Sequence, residues 1–297
     1  MSHAHPVVAI TGSSGAGTST VTDTFQQIFA RENVSAAIVH GDSFHRYDRE
    51  GMNKAYEEAA AAGRTEFSHF GPDANLFDEL ESLFRNYGEC GSGRVRNYVH
   101  DAEEAAEFDH QPGTFTDWED LESGTDLLYY EGLHGAVQTE TVNVAKYVDL
   151  RIGVVPTINL EWIQKLHRDR AKRGYSTEAV TDTILRRMPD YVHYICPQFA
   201  NTHINFQRVP VVDTSNPFIA QWIPTADESM VVIRFADPRG IDFPYLLAMI
   251  DGAFMSRANS IVVPGGKMEL AMQLVFTPLI WRMVETGRKS RARAHAM

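Results

Sequence analysis

Short apolar runs recur along the chain and alternate with stretches of helical period. Val7–Ile10, Ala36–His40, Leu127–Tyr130, Leu150–Val155, Val209–Val212 and Val231–Phe235 read as strands. Thr20–Ala30, 158–173 and 268–286 read as helices, the last set off by the breaker Pro264-Gly265-Gly266. This alternation predicts an α/β fold, a mainly parallel mixed sheet flanked by helices. Residues 43–125 are polar and rich in Glu, Asp, Gly and aromatics, which predicts helices and a hairpin inserted beside the sheet. The expected organisation is one domain over 1–287, with that insertion and a charged helix at about 158–174 placed as a lid. The basic tail 288–297 is expected to be disordered, as chain ends commonly are.

Composition narrows the function classes. The chain has 297 residues, 43% of them apolar, with 39 acidic against 27 basic residues and a formal net charge of −12. That balance argues against a general nucleic-acid or anionic-membrane binder, which needs a basic footprint. A small phosphorylated substrate held by a few local cations stays open. No apolar run reaches the ~18–20 residues of a membrane span. Met1-Ser2-His3-Ala4-His5 leads straight into a strand, without the apolar core of a signal peptide. Cys90 and Cys196 make no metal-ligand pattern, and reduced thiols in the cytoplasm are the simplest reading.

The sharpest motif follows the first strand. Gly12-Ser13-Ser14-Gly15-Ala16-Gly17-Thr18-Ser19-Thr20 has the shape of a phosphate-binding P-loop between strand and helix. Its backbone N–H groups can cradle phosphate oxygens, aided by the helix N-terminus. Ser19 stands where a hydroxyl meets Mg²⁺, but Thr18 stands where a lysine usually does. Either the loop binds something less charged, or the missing cation comes from elsewhere in the chain.

Other constellations bear on that choice. Ligands of open α/β sheets bind at the carboxyl ends of strands, where Asp42 and Glu131 fall. Asp42 can deprotonate a substrate hydroxyl or simply cap the next helix. His45 and Arg49, spaced i, i+4, would share a helix face. Arg94, Arg96, Tyr98 and His100, at period two, would share one side of a strand. Glu131 can hold Mg²⁺ directly or through water, as a carboxylate ending an apolar strand does. On the 158–174 helix, Lys165, Arg168, Asp169, Lys172 and Arg173 fall on one face, four cations around one carboxylate. Lys165 can supply the cation absent at Thr18, and Asp169 can hold Mg²⁺ or stabilise a transferring group. A solvated, salt-bridged helix is the plain alternative.

Several long segments together resemble the phosphoribulokinase family in its bacterial short-chain form. They are Thr11–Thr20, Gly41-Asp42-Ser43-Phe44-His45-Arg46, Phe67-Ser68-His69-Phe70, Tyr98-Val99-His100-Asp101, Tyr130–Gly135, Asn159–Lys165 and Val211–Phe218. The likeness runs from about residue 6 to residue 286. It implies a P-loop kinase fold and Mg²⁺- and ATP-dependent phosphorylation of ribulose 5-phosphate at O1, giving ribulose 1,5-bisphosphate in the Calvin cycle. It implies Asp42 as base, and Glu131 and Asp169 in metal and transition-state roles. Lys165 and Arg168 would serve the nucleotide phosphates, and His45, Arg49, Tyr98, His100 and Arg173 the sugar phosphate. It further implies a homo-oligomer, an octamer, activated by NADH, with Arg31, Arg187, Arg234 and Arg257 associated with that control. A uridine- or pantothenate-type kinase is the rival enzyme, and a nucleotide-binding regulator without catalysis is the rival outside enzymes.

Overall fold

The computed structural model describes residues 4–12, 18–64, 67–155, 157–173 and 176–295, with the backbone alone at 18–20, 171–173 and 295. The strands are β1 (Val7–Gly12), β2 (Ala36–His40), β3 (Arg94–Val95), β4 (Glu119–Asp120), β5 (Leu127–Gly132), β6 (Leu150–Val155), β7 (Ile204–Pro210), β8 (Ser229–Phe235), β9 (Phe254–Arg257) and β10 (Ser260–Pro264). The helices are α1 (Thr18–Glu32), α2 (Arg49–Ala61), α3 (Phe77–Cys90), α4 (Ala102–Phe108), α5 (Ile158–Arg173), α6 (Thr177–Asp190), α7 (Phe243–Met249) and α8 (Met268–His295). Eight of these strands form one sheet in the order β2-β5-β1-β6-β7-β8-β10-β9, and β3 pairs with β4 apart from it. The first five are parallel, and the pairs from β7 to β9 are antiparallel. The sheet is therefore mixed and mainly parallel.

Burial explains which strands form. Along β1, Val8 and Ile10 face one core with α1 and α8, while Val7 and Ala9 face a second core with α3. β5 does the same, Leu127 and Tyr129 on one side, Leu128 and Tyr130 on the other. Strands covered on both faces are apolar throughout. β8 instead alternates, with Val231, Ile233 and Phe235 buried and Arg234 exposed. The strand expected at Val209–Val212 lies earlier, at Ile204–Pro210, because Ile204 and Phe206 are the residues that reach the core. The hairpin β9–β10 lies outside the predicted set. No helix among the described residues is long and apolar enough to cross a membrane.

The tail corrects an expectation. Instead of fraying at 288, α8 continues to His295. Asp126 is the reason: it accepts from Arg288 Nε at 2.9 Å and Nη2 at 2.6 Å, from Arg291 Nη2 at 2.9 Å and from Ser35 N at 3.1 Å. Burial acts to raise the Asp126 carboxyl, but these partners outweigh it and hold its pKa down. Asp126→Asn is expected to destabilise the fold by about 3 kcal/mol, as loss of one partner of a buried ion pair does. A depressed folded pKa gives stability that is present above the unfolded carboxylate value and lost as pH falls through the folded one. The difference in melting temperature between Asp126→Asn and the parent should therefore shrink below about pH 4. A constant difference from pH 7 down to pH 3 would contradict this.

Candidate active site

A cleft of about 1420 Å³ opens at the carboxyl ends of β1, β2 and β5 and is bounded by α2, α5 and α6. Two glycines set its floor. A Cβ on Gly41 would lie 2.8 Å from Gly132 Cα and 2.6 Å from the Tyr130 hydroxyl, and one on Gly132 would lie 2.7 Å from Gly41 Cα. The ends of β2 and β5 can approach only without side chains there, and each leads directly into or out of a carboxylate, Asp42 or Glu131. Gly132→Ala is expected to cost about 1–3 kcal/mol through overpacking, read as a lower unfolding midpoint. An unchanged midpoint would mean that the contact relaxes freely.

Asp42 sits in the short 3-10 turn Gly41–Phe44. Its Oδ2 meets His100 Nε2 at 3.0 Å, and its Oδ1 meets His45 Nε2 at 3.1 Å. Burial would raise the Asp42 pKa, but the two imidazoles outweigh it and hold the carboxyl well below the usual carboxylate range. The bond to Asp42, opposed by burial and reinforced by Glu104, raises His100 to about 9. Burial works against charge on His45, yet Asp42 and Asn75 outweigh it and its pKa is also raised. The site is thus a carboxylate between two imidazoles, whose protonated forms it favours.

Neighbouring residues aim this cluster. Arg96 donates from Nε to Ser43 O at 3.0 Å and from Nη2 to His45 O at 2.6 Å, while its guanidinium lies 3.6 Å from the Phe115 ring centre. Arg49 Nη2 donates to His100 O at 2.9 Å. Two expectations change here. His45 follows the turn in an extended conformation and Arg49 begins α2, so they meet at the cleft from different elements and share no helix face. Nor do Arg94, Arg96, Tyr98 and His100 line one strand face. β3 stops at Val95, Arg96 turns to the Ser43 and His45 carbonyls, and only Tyr98 and His100 of the four line the cleft.

Across the cleft, α5 presents Lys165, Arg168 and Asp169. Lys165 Nζ lies 2.8 Å from Asp169 Oδ2, and Arg168 Nε lies 3.1 Å from Oδ1. The Asp169 side chain is 5% exposed, so it fixes both cations from beneath. Burial lowers the Lys165 pKa despite Asp169, whereas Lys165 and Arg168 outweigh burial at Asp169 and lower its pKa. Glu131, ending β5, lines the cleft with His40 Nδ1 3.8 Å from its carboxylate. Among the described residues no cluster of three or more His, Cys, Asp or Glu forms a preassembled metal site.

The P-loop residues Ser13–Gly17 lie outside the described residues, as do the side chains of Thr18, Ser19, Thr20 and Arg173, and Gly174. Gly12 ends β1 at the cleft and α1 begins at Thr18, so the flanks have the strand–helix form the motif needs. Buried Gln198 fixes that approach, accepting from Thr11 Oγ1 at 3.1 Å and Ala136 N at 3.0 Å and donating to Leu133 O at 2.8 Å. The four arginines expected to serve control do not gather in one place within this chain. Arg187 lines the cleft and bonds the Tyr56 hydroxyl at 3.2 Å. Arg31 joins α1 to Thr277 of α8 at 2.6 Å, and Arg234 and Arg257 flank Ser260 across β10.

Two residues that support the cleft carry little sequence signal. Asn75 follows one short 3-10 turn and Gln198 lies in another, where no periodicity exists to read. Glu104 alone had a usable spacing, i+4 from His100.

The family model described as Phosphoribulokinase / Uridine kinase family matches residues 7–215. The chain is 67% identical to the chromosomal phosphoribulokinase of Cupriavidus necator, over 98% of this chain and 99% of that one. It is 68% identical to the phosphoribulokinase of Nitrobacter vulgaris, over 97% and 99% of the two chains. The solved phosphoribulokinase from Rhodobacter spheroides superposes with a TM-score of 0.90 at 62% identity, covering 97% of this chain and 100% of that one. With a mainly parallel sheet, a P-loop context and near-full-length likeness of this degree, the chain belongs to the phosphoribulokinase / uridine kinase family.

Proposed function

We propose that this protein transfers the γ-phosphate of ATP to O1 of D-ribulose 5-phosphate, giving ribulose 1,5-bisphosphate for the Calvin cycle. The observation that carries the reading is Asp42 between His45 and His100, facing the Lys165–Asp169–Arg168 cluster in one cleft. A carboxylate base serves any hydroxyl, but imidazolium groups and Arg49 beside it favour an acceptor that already bears a phosphate. Uridine and pantothenate carry no phosphate, so neither would use this set of cations fully.

His45, Arg49, Tyr98 and His100, joined by Arg173, bind the sugar phosphate and bring O1 to Asp42. As O1 bonds to the γ-phosphorus and the bond to ADP breaks, the O1 proton passes to Asp42. Lys165 and Arg168 offset the charge on the transferring group and on ADP, and the P-loop from Gly12 to Thr20 holds the remaining phosphates. The absent P-loop lysine is thus replaced from α5.

Mg²⁺ suits the hard oxygen donors of the cleft. Glu131 and the Ser19 hydroxyl would hold it, and one or two protein oxygens are enough when nucleotide phosphates complete the shell. When bound, it neutralises charge on the β- and γ-phosphates. Asp169 accepts from Lys165 on one oxygen and from Arg168 on the other, and a remaining lone pair could join the metal shell.

The test is ADP formation with a panel of acceptors. Turnover with ribulose 5-phosphate and none with uridine supports the reading, and the reverse overturns it. ATP binding without turnover on any sugar phosphate would favour a regulator. We also read the protein as a cytoplasmic homo-oligomer responsive to NADH. The exposed Ile219 and Trp222, 73% and 59% accessible, support association. Sedimentation and an NADH titration of the activity check these two points.

A further inference from the structure

Glu104, in the first turn of α4, is assigned no part in the mechanism above, yet it grips His100 twice. Its Oε2 accepts from His100 N at 2.7 Å and lies 3.0 Å from His100 Nδ1. The other ring nitrogen, Nε2, meets Asp42 Oδ2 at 3.0 Å. A carboxylate only accepts, so both ring nitrogens must donate, and the imidazole carries two protons. The grip is itself built. Asp101 caps α4 by accepting from Glu103 N at 3.0 Å and Glu104 N at 3.2 Å, which fixes where Glu104 starts.

The second imidazole is held differently. Asn75 Nδ2 donates to His69 O at 2.9 Å and Gly71 O at 2.7 Å, so its Oδ1 must accept from His45 Nδ1 at 2.9 Å. A neutral amide orients His45, whereas a charged carboxylate orients His100. The charged choice has a purpose if His100 must stay cationic at pH values where an ordinary histidine does not.

We propose that Glu104 is a positioning residue for the phosphoryl-acceptor subsite, keeping His100 doubly protonated and turned toward Asp42 so that an anionic sugar phosphate meets a cation there. This rests on the function proposed above. The charged or titratable groups facing His100 are Asp42 from the 3-10 turn, His45 just after it, Tyr98 beside it at 5.0 Å, Arg49 from α2, and Asp101 and Glu104 at α4. Of these, only Asp42 and Glu104 accept from its ring. An opposite charge at this range moves a pKa by ~1–3 units, and the direction for a cation is upward. His100, raised to about 9 chiefly by Asp42 and in part by Glu104, should lose the Glu104 share when Glu104 is neutralised.

The full-length enzyme with Glu104→Gln and Glu104→Asp tests this through two readouts. The first is the pH profile of kcat/KM for ribulose 5-phosphate. Glu104→Gln should move its alkaline limb down by about one pH unit or more and raise KM for the sugar phosphate while leaving KM for ATP unchanged. Glu104→Asp should restore the limb. The second needs no activity: acylation of His100 by diethyl pyrocarbonate, which attacks neutral imidazole, followed by peptide mass spectrometry. It should begin at lower pH in Glu104→Gln than in the parent. If the parent never turns over ribulose 5-phosphate, the functional reading falls while the acylation profile still judges Glu104. An alkaline limb and an acylation profile identical to the parent in Glu104→Gln would overturn the proposal.

Discussion

Asp42→Asn lowers kcat by about 10²–10⁴-fold, the usual worth of a general base, while ATP binding stays close to that of the parent. The substitution keeps shape and removes proton affinity. It also has a geometric cost. Asp42 accepts from His45 through Oδ1 and from His100 through Oδ2, and an amide has only one acceptor oxygen. One imidazole must lose its partner, so KM for the sugar phosphate rises as well. ATP binding should be spared because the cations proposed for it sit on α5, fixed by Asp169 and not by Asp42. Measured turnover within a few-fold of the parent would remove Asp42 from the role of base.

Lys165→Met is expected to reduce kcat by roughly 10²–10³-fold, the scale seen when one preorganised charge-stabilising donor is lost. The P-loop has Thr18 in the usual lysine position, so no nearby side chain of the loop substitutes. Stability should fall much less. Asp169, 5% exposed, keeps Arg168 at 3.1 Å after Lys165 is gone, so its charge is not left alone in the interior. A large loss of rate with a small shift in unfolding midpoint is therefore the expected pair. A fully active Lys165→Met enzyme would mean that the compensating cation lies elsewhere, with Arg168 next in line. Adding a lysine at position 18 should be unnecessary for activity in the parent.

How far the sequence reached depends on what each element must satisfy. β1 and β5 were legible because helices cover them on both faces, which leaves an unbroken apolar run. β7 begins earlier than its apolar run suggests because Asn205 separates its core residues Ile204 and Phe206, and Gln207 and Arg208 follow them. The grouping of Lys165, Arg168 and Asp169 on α5 was legible because helical period is local. Arg96 was not, since period two cannot tell an open strand face from a guanidinium stacked over Phe115 and bonded to two distant carbonyls. The tail failed for the same reason: a run of arginines looks solvated until Asp126, far away in sequence, is brought beneath it. Asn75 and Gln198 act through bonds whose partners only the fold supplies.

The contact of Gly41 with Gly132 under the Tyr130 hydroxyl has a consequence for selectivity. Asp42 and Glu131 stand on one backbone junction, so they keep their mutual placement whatever α5 does. An imperfectly seated α5 shifts the donor phosphate against both at once. Such an error slows transfer without changing which hydroxyl loses its proton. Regiochemistry is then a property of the sheet and speed a property of the helix, and the two can drift apart in evolution or be altered separately by design.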